Sequence, residues 1–288
     1  MGSDPISTPS TRAGTALRRV SGGCARRSPK SIGGDSKGER VDEDYEVQAN
    51  SARRGQPLRV VVREGEEFVA AAAAWFSEAV GSVLAERKRC TVALAGGNTP
   101  RAIYEHLAER YVDLPWSLLD VYFGDERQVP PDDPASNYRM AREALLSRVP
   151  IDPARVFRMA GERADAMAAA REYESLLPTA LDVLMLGMGV DGHTASLFPG
   201  APQLAERQRL VLPSTSPSPP ARRLTITPPV IEASRHLAVF TAGAAKAPAV
   251  AGALEGNFDP LELPVQLALR GSWILDPEAA SLLRSVRT

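Results

Sequence analysis

From Leu58 onward, short apolar runs alternate with segments whose apolar residues recur at the helical period. Several runs are continuously apolar, as is typical of strands buried on both faces of a parallel sheet. The alternation predicts an α/β fold with a mainly parallel sheet flanked by helices on both sides and right-handed crossovers. The predicted strands are 58–62, 91–95, 119–123, 156–159, 182–186, 224–227 and 236–240, and the predicted helices are 66–87, 100–110, 137–147, 164–177 and 244–252.

The first 55 residues lack this alternation and are dominated by Ser, Gly, Thr, Arg and Lys. Such a composition buries too little apolar surface to offset the entropy of ordering. We therefore predict a disordered tail over 1–55 and one α/β domain over 56–288. The origin of the tail stays open between a transit peptide, an expression remnant around 1–6 and an extended start. Within the domain, the Pro- and Ser-rich segment 213–220 predicts a mobile surface loop.

The charge balance, the length of the apolar runs and the number of cysteines limit the kinds of partner and compartment that we expect. Lys and Arg total 34 against 35 Asp and Glu, so no net field favours nucleic acid or a membrane, and an anionic ligand must be bound locally. The longest apolar run, 68–76, is far shorter than the ~18 residues that span a bilayer. The two cysteines, Cys24 and Cys90, do not form a disulfide framework and favour the reducing cytoplasm.

Ligands of open α/β sheets bind beyond the carboxyl ends of the strands, so the residues that follow each predicted strand are the candidates for a site. The first such junction reads AGGNTPRAIYEHL from Ala95. Gly96 and Gly97 allow the backbone to approach a ligand, and the helix that begins near Thr99 and Pro100 exposes amides that bind phosphate. The same residues also fit an ordinary glycine turn with Thr99 as the cap.

The second junction, FGDERQVPPDDPASNY, is rich in charge. Asp125, Glu126 and Arg127 directly follow a predicted strand, which favours a ligand site. A structural alternative remains, in which Asp133 or Ser136 caps the next helix and Glu126 forms a surface ion pair.

The third junction, LDVLMLGMGVDGHTASLFPG, places His193 in a glycine-rich loop two residues after Asp191. A carboxylate can orient or polarise an imidazole, so this pair predicts that His193 acts as a general base near neutral pH. Ser196 lies in the same loop, but it lacks the G-x-S-x-G elbow of a serine nucleophile.

The same loop matches the dinucleotide fingerprint G-x-G-x-x-G through Gly187, Gly189 and Gly192. Pro199 ends any helix within about two turns of the third glycine, which is too short for the crossover of a dinucleotide-binding unit. Glu206 precedes an apolar run, whereas the ribose-binding acid ends the second strand of that unit. Nucleotide binding is therefore only a minor alternative.

The fourth region contains cations that fit a phosphate at the Gly96 loop. Arg222 or Arg223 stands at a strand start, and Lys246 follows a strand in a Gly/Ala turn. Each is also compatible with a solvated surface charge. With three histidines and no H-E-x-x-H or paired Cys spacing, the sequence does not predict a catalytic zinc site.

At these motifs the chain resembles the 6-phosphogluconolactonases, which share a sugar-isomerase-like (NagB/RpiA-type) fold with glucosamine-6-phosphate deaminases. The resemblance is carried by AGGNTP (95–100), DERQVPPDDPASNY (125–138), GMGVDGHTASLFP (187–199), RLTIT (223–227) and GAAK (243–246). It runs from about Leu58 to near the C-terminus. Asn98, where the family often has Ser, and the pair Pro228 and Pro229 depart from the family pattern.

The resemblance implies hydrolysis of 6-phospho-D-glucono-1,5-lactone to 6-phosphogluconate in the oxidative pentose phosphate pathway, without a metal or organic cofactor. It implies a small phosphorylated sugar lactone as partner, no nucleic acid, no membrane, and a monomer or small homo-oligomer. By position, the implied catalytic residues are His193, Asp191, Arg127 and Asp125, and the implied substrate- and phosphate-binding residues are Gly96, Gly97, Asn98, Thr99, Asn137, Arg223 and Lys246.

Three rival functions share some of these sequence features. A glucosamine-6-phosphate deaminase commonly has Tyr after the Asp-Glu pair and a Phe-Asn-Glu segment after the histidine loop, whereas this chain has Arg127 and the residues TAS at 194–196. A sugar-phosphate-sensing regulator would need a DNA-reading module, and the tail shows no helix-turn-helix periodicity. A nicotinamide dehydrogenase would rest on the glycine fingerprint alone.

Overall fold

The computed structural model describes residues 58–284 in full and the backbone of two strands before them, β1 (Arg18–Arg19) and β2 (Glu43–Val47). The predicted disordered tail, 1–55, therefore lies mostly outside the described residues. Strand β2 pairs antiparallel with the first strand of the domain, and β1 pairs with β2.

A parallel sheet of six strands forms the centre of the domain, as predicted. Its strands are β3 (Leu58–Val62), β4 (Cys90–Leu94), β5 (Leu119–Phe123), β7 (Val183–Gly187), β10 (His236–Thr241) and β11 (Ser272–Leu275). Their spatial order is β3-β11-β10-β7-β4-β5, and each neighbouring pair is parallel. Most of their side chains are buried, as expected of apolar strands covered on both faces.

A second, three-stranded antiparallel sheet was not predicted. It is formed by β6 (Asp125–Arg127), β8 (Val211–Thr215) and β9 (Arg222–Ile226) in the order β6-β9-β8. These strands are short and carry several polar residues, so they lack the continuous apolar pattern that marks the central strands. Strands β8 and β9 are near each other in the sequence, whereas β6 precedes its partner β9 by almost 100 residues.

Three sequence predictions change as a result. The segment 213–220 is not a loop throughout, because its first three residues belong to β8 and pair with β9. The predicted strand 224–227 is β9 and lies outside the parallel sheet. The predicted strand 156–159 was wrong, since it forms only the isolated bridge between Val121 and Val156.

Helices cover both faces of the central sheet, as predicted. Helices α1 (Gly65–Glu86), α2 (Asn98–Arg110) and α3 (Asn137–Ala141) contribute to the core on one face, and α4 (Ala166–Leu176), α5 (Pro228–Ala233), α6 (Ala247–Glu255) and α7 (Pro277–Ala280) to the core on the other. A π-helical turn at Arg142–Leu146 extends α3, and a 3₁₀ turn at Ala244–Lys246 precedes α6.

Helix α1 is long and apolar enough to cross a bilayer by length and composition alone. Its residues Phe68, Ala72, Phe76 and Val80 recur four positions apart and are buried. This stripe packs in the same cluster as residues of β4 and β5, so the apolar face of α1 belongs to the protein core.

The sheet divides between β4 and β7. These strands pair only at Val92 with Val183 and Ala93 with Leu184, although β7 continues to Gly187. The chain after β4 leads to β5 on one side, and the chain after β7 leads to β10 on the other. Such a switch point opens a crevice at the carboxyl ends of the strands.

Candidate active site

One cavity of about 560 Å³ lies at the carboxyl ends of β4, β5, β7 and β10. Its size is within the range of small-molecule sites, roughly 300–1,000 Å³. Every residue that the sequence assigned to the site lines this cavity, although their roles remain proposals: Gly96, Gly97, Asn98, Thr99, Asp125, Arg127, Asn137, Asp191, His193, Arg223 and Lys246.

The cavity contains a hydrogen-bonded pair of titratable side chains, His193 and Asp191. Nδ1 of His193 lies 2.6 Å from Oδ1 of Asp191, and the ring packs against Phe198. Burial opposes ionisation of Asp191, but hydrogen bonds from the ring and the backbone N–H of His193 hold its pKa below the ordinary value. With the Nδ1 proton directed to the carboxylate, Nε2 remains as the acceptor of this imidazole.

Glycine makes this pair sterically feasible. A Cβ on Gly189 would lie 2.0 Å from Nδ1 of His193, so any side chain there would displace the imidazole. Gly192 has a φ of 79°, in the left-handed region that favours glycine. The loop is closed by a hydrogen bond from the Gly189 N–H to the His193 carbonyl, and Thr194 donates to the Gly187 carbonyl.

No long helix follows these glycines, in contrast to a dinucleotide-binding unit. Residues 194 and 197 form an isolated bridge, and the next helical segment is a 3₁₀ turn at Pro202–Ala205. The loop is therefore shaped around the His193 side chain rather than around the N-terminus of a crossover helix.

Ser196 connects the histidine loop to the small sheet. Its hydroxyl donates to Oδ2 of Asp125 at 2.6 Å, its N–H donates to the Thr225 hydroxyl, and its carbonyl accepts from the Ser214 hydroxyl. The preceding residue, Ala195, has a φ of 48°, which is unusual for a residue with a side chain. The three hydrogen bonds hold this conformation in place.

Asp125 is held on both carboxylate oxygens. Besides the Ser196 bond, its Oδ1 accepts from Nδ2 of Asn137 at 3.1 Å, and the same amide donates to the Asp125 carbonyl. The Asn137 side chain fills the space beside Gly96, where a Cβ would lie 2.0 Å from Oδ1 of Asn137. Asp125 therefore lies at the meeting point of the loops after β4, β5 and β7.

Glu126 is not the surface residue that the sequence suggested. Its carboxylate is 3% exposed and accepts hydrogen bonds from the backbone N–H groups of Arg127, Asn137 and Tyr138 and from the Ser136 hydroxyl. Burial raises its pKa, and these hydrogen bonds act in the opposite direction. Glu126 thus anchors the start of α3 to β6, while Ser136 caps that helix, as the structural alternative predicted.

Arg127 and Arg223 lie opposite each other on the paired strands β6 and β9. Like charges in such register repel each other, yet Arg223 is only 7% exposed. Burial, and then the charge of Arg127, lower the pKa of Arg223. The buried Nε atom of each arginine has no hydrogen-bond partner among the residues that the structure describes. Two adjacent guanidinium groups with free donors are suited to an anion.

Two further groups that attract anions face the same cavity. Gly97, with a φ of 103°, precedes α2, and no side chain caps the first amides of this helix. The expectation that Thr99 is the cap was therefore wrong, because Thr99 lies within the first turn. Across the cavity, Nζ of Lys246 donates to the Met188 carbonyl at 2.8 Å. Burial lowers the pKa of Lys246, although the charge of Asp191 acts against this.

Sequence reasoning missed several residues of the cavity wall. Ser196 was considered only as a nucleophile, and its hydrogen bond to Asp125 joins positions 71 residues apart. Thr241 also faces the cavity, and its buried hydroxyl has no partner among the described residues. Ser216, Pro217 and Ser218, within the segment expected to be a surface loop, form another part of the wall.

Known proteins resemble this chain in sequence and in fold. The family model of glucosamine-6-phosphate isomerases/6-phosphogluconolactonase matches residues 63–275. A 6-phosphogluconolactonase of Synechocystis sp. is 39% identical over 218 residues, covering 71% of this chain and 89% of that protein. The solved 6-phosphogluconolactonase of Trypanosoma brucei is 31% identical, with a TM-score of 0.71 over 78% of this chain and 98% of its own.

A monomeric glucosamine-6-phosphate deaminase, described as a member of the NagB superfamily, has the same fold. It is 25% identical and has a TM-score of 0.68, covering 77% of this chain and 99% of its own. The predicted sugar-isomerase-like fold is thereby confirmed. The chain belongs to the glucosamine-6-phosphate isomerase/6-phosphogluconolactonase family.

Proposed function

We propose that this protein is a 6-phosphogluconolactonase, which hydrolyses 6-phospho-D-glucono-1,5-lactone to 6-phosphogluconate in the oxidative pentose phosphate pathway. The observation that carries the proposal is the His193 and Asp191 pair in a cavity whose other walls carry Arg127, Arg223 and Lys246. A base beside several cations suits an ester that carries a phosphate. Relatives with this activity match most of the chain.

His193 is the proposed general base. Asp191 holds the Nδ1–H, so Nε2 accepts a proton from water as the water oxygen bonds to the lactone carbonyl carbon. The tetrahedral intermediate then expels the ring oxygen, and the proton on Nε2 passes to that oxygen. The proposed steps require no covalent enzyme intermediate, metal or organic cofactor.

Arg127 is the proposed partner of the developing oxyanion. It lies on β6, two residues after Asp125, which the Ser196 hydrogen bond ties to the histidine loop. A guanidinium fixed in advance of the reaction stabilises the charge that appears on the carbonyl oxygen in the transition state. Asp125 and Asn137 are proposed to face the sugar hydroxyls.

The phosphate is proposed to bind between Arg223, Lys246 and the loop of residues 96–99 at the N-terminus of α2. Arg223 offers a planar set of donors, Lys246 offers a point charge, and the uncapped helix offers backbone amides. Binding far from the reacting carbon orients the carbonyl toward His193.

We also propose that the enzyme works in the cytoplasm on this small lactone alone, without nucleic acid or membrane, as a monomer or small homo-oligomer. The near-balanced charge and the use of only two cysteines support this assignment. Fractionation of cells that express the full chain, together with size-exclusion chromatography coupled to light scattering, tests it. Recovery in an organelle or a membrane fraction would contradict it.

The activity is tested with lactone generated in situ by glucose-6-phosphate dehydrogenase and followed against spontaneous hydrolysis. The proposal predicts clear acceleration over the spontaneous rate by catalytic amounts of the protein, unaffected by prior treatment with a chelator. The deaminase alternative is tested in parallel by ammonium release from glucosamine 6-phosphate. Ammonium release without lactone hydrolysis would reject the proposed function.

A further inference from the structure

The buried hydroxyl of Tyr104 lies where β4 and β7 separate. It accepts a hydrogen bond from the Ala95 N–H at 2.8 Å and donates to the Ala95 carbonyl at 2.9 Å. Tyr104 belongs to α2, and its side chain is fully buried. One hydroxyl thus satisfies both polar groups of the residue that follows β4.

The backbone N–H and carbonyl of Ala95 face β7. In a parallel strand, alternate residues direct their backbone groups to the same neighbour. The Thr91 carbonyl accepts from the Asp182 N–H on the β7 side, so Ala93 and Ala95 face that side too. Pairing of β4 with β7 ends at Ala93. At Ala95, the Tyr104 hydroxyl takes the place of a backbone partner from β7.

Beyond Ala93 and Leu184, β4 and β7 separate, and this separation, called the fork below, opens directly into the candidate site. Ala95 precedes the loop of residues 96–99, and β7 continues through Gly187 to the loop of His193. A Cβ on Gly187 would lie 3.9 Å from the Gly96 carbonyl oxygen, so the two strand ends remain close neighbours. A small change in the end of β4 would therefore move the phosphate-binding loop relative to the base.

We propose that Tyr104 is a positioning residue that holds the end of β4 away from β7 and so sets the phosphate-binding loop at its working distance from His193. The proposal rests on the proposed function for the identity of the ligand. It predicts that loss of the hydroxyl weakens phosphate binding more than it slows the chemical step.

Tyr173 provides a matched control. Its hydroxyl makes the same two hydrogen bonds with the N–H and carbonyl of Phe123, at 2.7 and 3.0 Å, and is also fully buried. Phe123 faces the outer edge of β5, the side on which Val121 accepts from Phe157. Tyr173→Phe therefore removes the same chemical group from a strand end without touching the fork.

Hydrogen exchange measured by mass spectrometry tests the local contact. We expect Tyr104→Phe to speed exchange in peptides that cover residues 93–99, and Tyr173→Phe to speed exchange around residues 121–126. Unchanged exchange at 93–99 in Tyr104→Phe would overturn the proposal at its first step.

Calorimetric titration with 6-phosphogluconate tests whether loss of the Tyr104 hydroxyl weakens binding of the phosphorylated ligand. We expect the Kd of Tyr104→Phe to rise about tenfold, with KM for the lactone rising in parallel and kcat falling less than threefold. For Tyr173→Phe we expect a smaller rise of Kd and KM than for Tyr104→Phe, because the end of β5 leads to Asp125 and not to the phosphate-binding loop. Equal changes of Kd in both variants, or a loss confined to kcat, would show a general structural role and overturn the positioning role.

A titration with inorganic phosphate separates this proposal from the proposed function. If the wild type binds phosphate but neither binds 6-phosphogluconate nor hydrolyses the lactone, the proposed function fails, and the tenfold loss in Tyr104→Phe is then measured with phosphate. If the wild type binds neither compound, the fork does not hold a phosphate-binding loop and the positioning proposal is rejected.

Discussion

The two sheets contribute different kinds of group to the cavity. The parallel sheet contributes the glycine loops after β4 and β7, the His193 and Asp191 pair, and Lys246, which follows β10. The small antiparallel sheet contributes charged side chains, Asp125 and Arg127 from β6 and Arg223 from β9. Ser196 of the histidine loop joins the two sheets, because its hydrogen bonds reach Asp125 on β6, Thr225 on β9 and Ser214 on β8.

This contrast indicates how the site is assembled. Apolar strands fix the positions of loops that follow them but leave no room for charge inside the sheet. The small sheet adds three charged side chains, and its Arg127 and Arg223 lie opposite each other on paired strands and line the cavity. We therefore assign the general base to the parallel sheet and the partner of the oxyanion, Arg127, to the small one. The phosphate is assigned to Arg223 of the small sheet together with Lys246 and the loop of residues 96–99.

The largest expected effect is that of His193→Ala. Loss of the general base should lower kcat about 10³-fold and leave KM within a few fold, because general acid–base catalysis contributes roughly 10²- to 10⁴-fold. Steady-state lactone hydrolysis, corrected for the spontaneous reaction, measures it. His106→Ala, at a histidine on α2 that packs near Tyr111, is the control and should behave as wild type. A His193→Ala enzyme with wild-type kcat would assign the base elsewhere.

On the small sheet, Arg223→Met should raise KM about 10- to 100-fold with a smaller change in kcat. The estimate follows from hydrogen bonds to charged groups, each worth about 1.5–3 kcal/mol. Arg222→Met removes the neighbouring arginine, which bonds to the exposed Ala164 carbonyl, and should leave KM unchanged. A loss in kcat alone for Arg223→Met would move this residue from ligand binding to the chemical step.

Loss of the hydrogen bond between Ser196 and Asp125, which connects the two sheets, should have a smaller effect on activity than these two substitutions. Ser196→Ala leaves Oδ2 of Asp125 without its hydroxyl donor and should lower kcat about tenfold. Ser214→Ala also removes a hydrogen bond to Ser196 but leaves Asp125 untouched, so its kcat should stay within threefold of the wild-type value. Equal kcat values in the two variants would show that the contact with Asp125 does not position the site.

The smallest expected effect is on how the stability of the folded protein depends on pH. Hydrogen bonds from His193 overcome the burial of Asp191 and keep its pKa below the ordinary value of about 3.9. A depressed pKa stabilises the folded state above the ordinary pKa, and this contribution is lost as pH falls through the lowered one. The Tm difference between wild type and Asp191→Asn should therefore shrink between pH 5 and pH 3. Scanning calorimetry measures it, and a difference that grows toward pH 3 would contradict the assigned sign.

The central strands could be predicted because their signal is local. Strands such as 58–62 and 119–123 are apolar runs whose burial follows from their own composition. Strand β6, with the sequence DER, has no such signal and becomes a strand only through pairing with β9, almost 100 residues later. The four-residue strand β11 was missed because a run of that length does not distinguish a strand from a loop.

That these residues line one cavity could be predicted from glycine and charge at strand ends, but their surroundings could not. Glu126 reads as a surface residue because the backbone groups that satisfy it belong to α3, beyond an intervening loop. The neighbourhood of Arg127 and Arg223 depends on the register of two distant strands. Contacts of this kind arise from tertiary pairing, which a single sequence does not encode locally.

The most direct test of the separate roles of the base and of Arg223 is equilibrium binding of 6-phosphogluconate to His193→Ala and Arg223→Met, measured by calorimetric titration at one salt concentration. Product binding requires no turnover and is unaffected by spontaneous hydrolysis of the lactone. The account predicts that His193→Ala binds with a Kd within threefold of the wild-type value, whereas Arg223→Met loses at least tenfold in affinity. An equal loss in both variants, or a larger loss in His193→Ala, would contradict it.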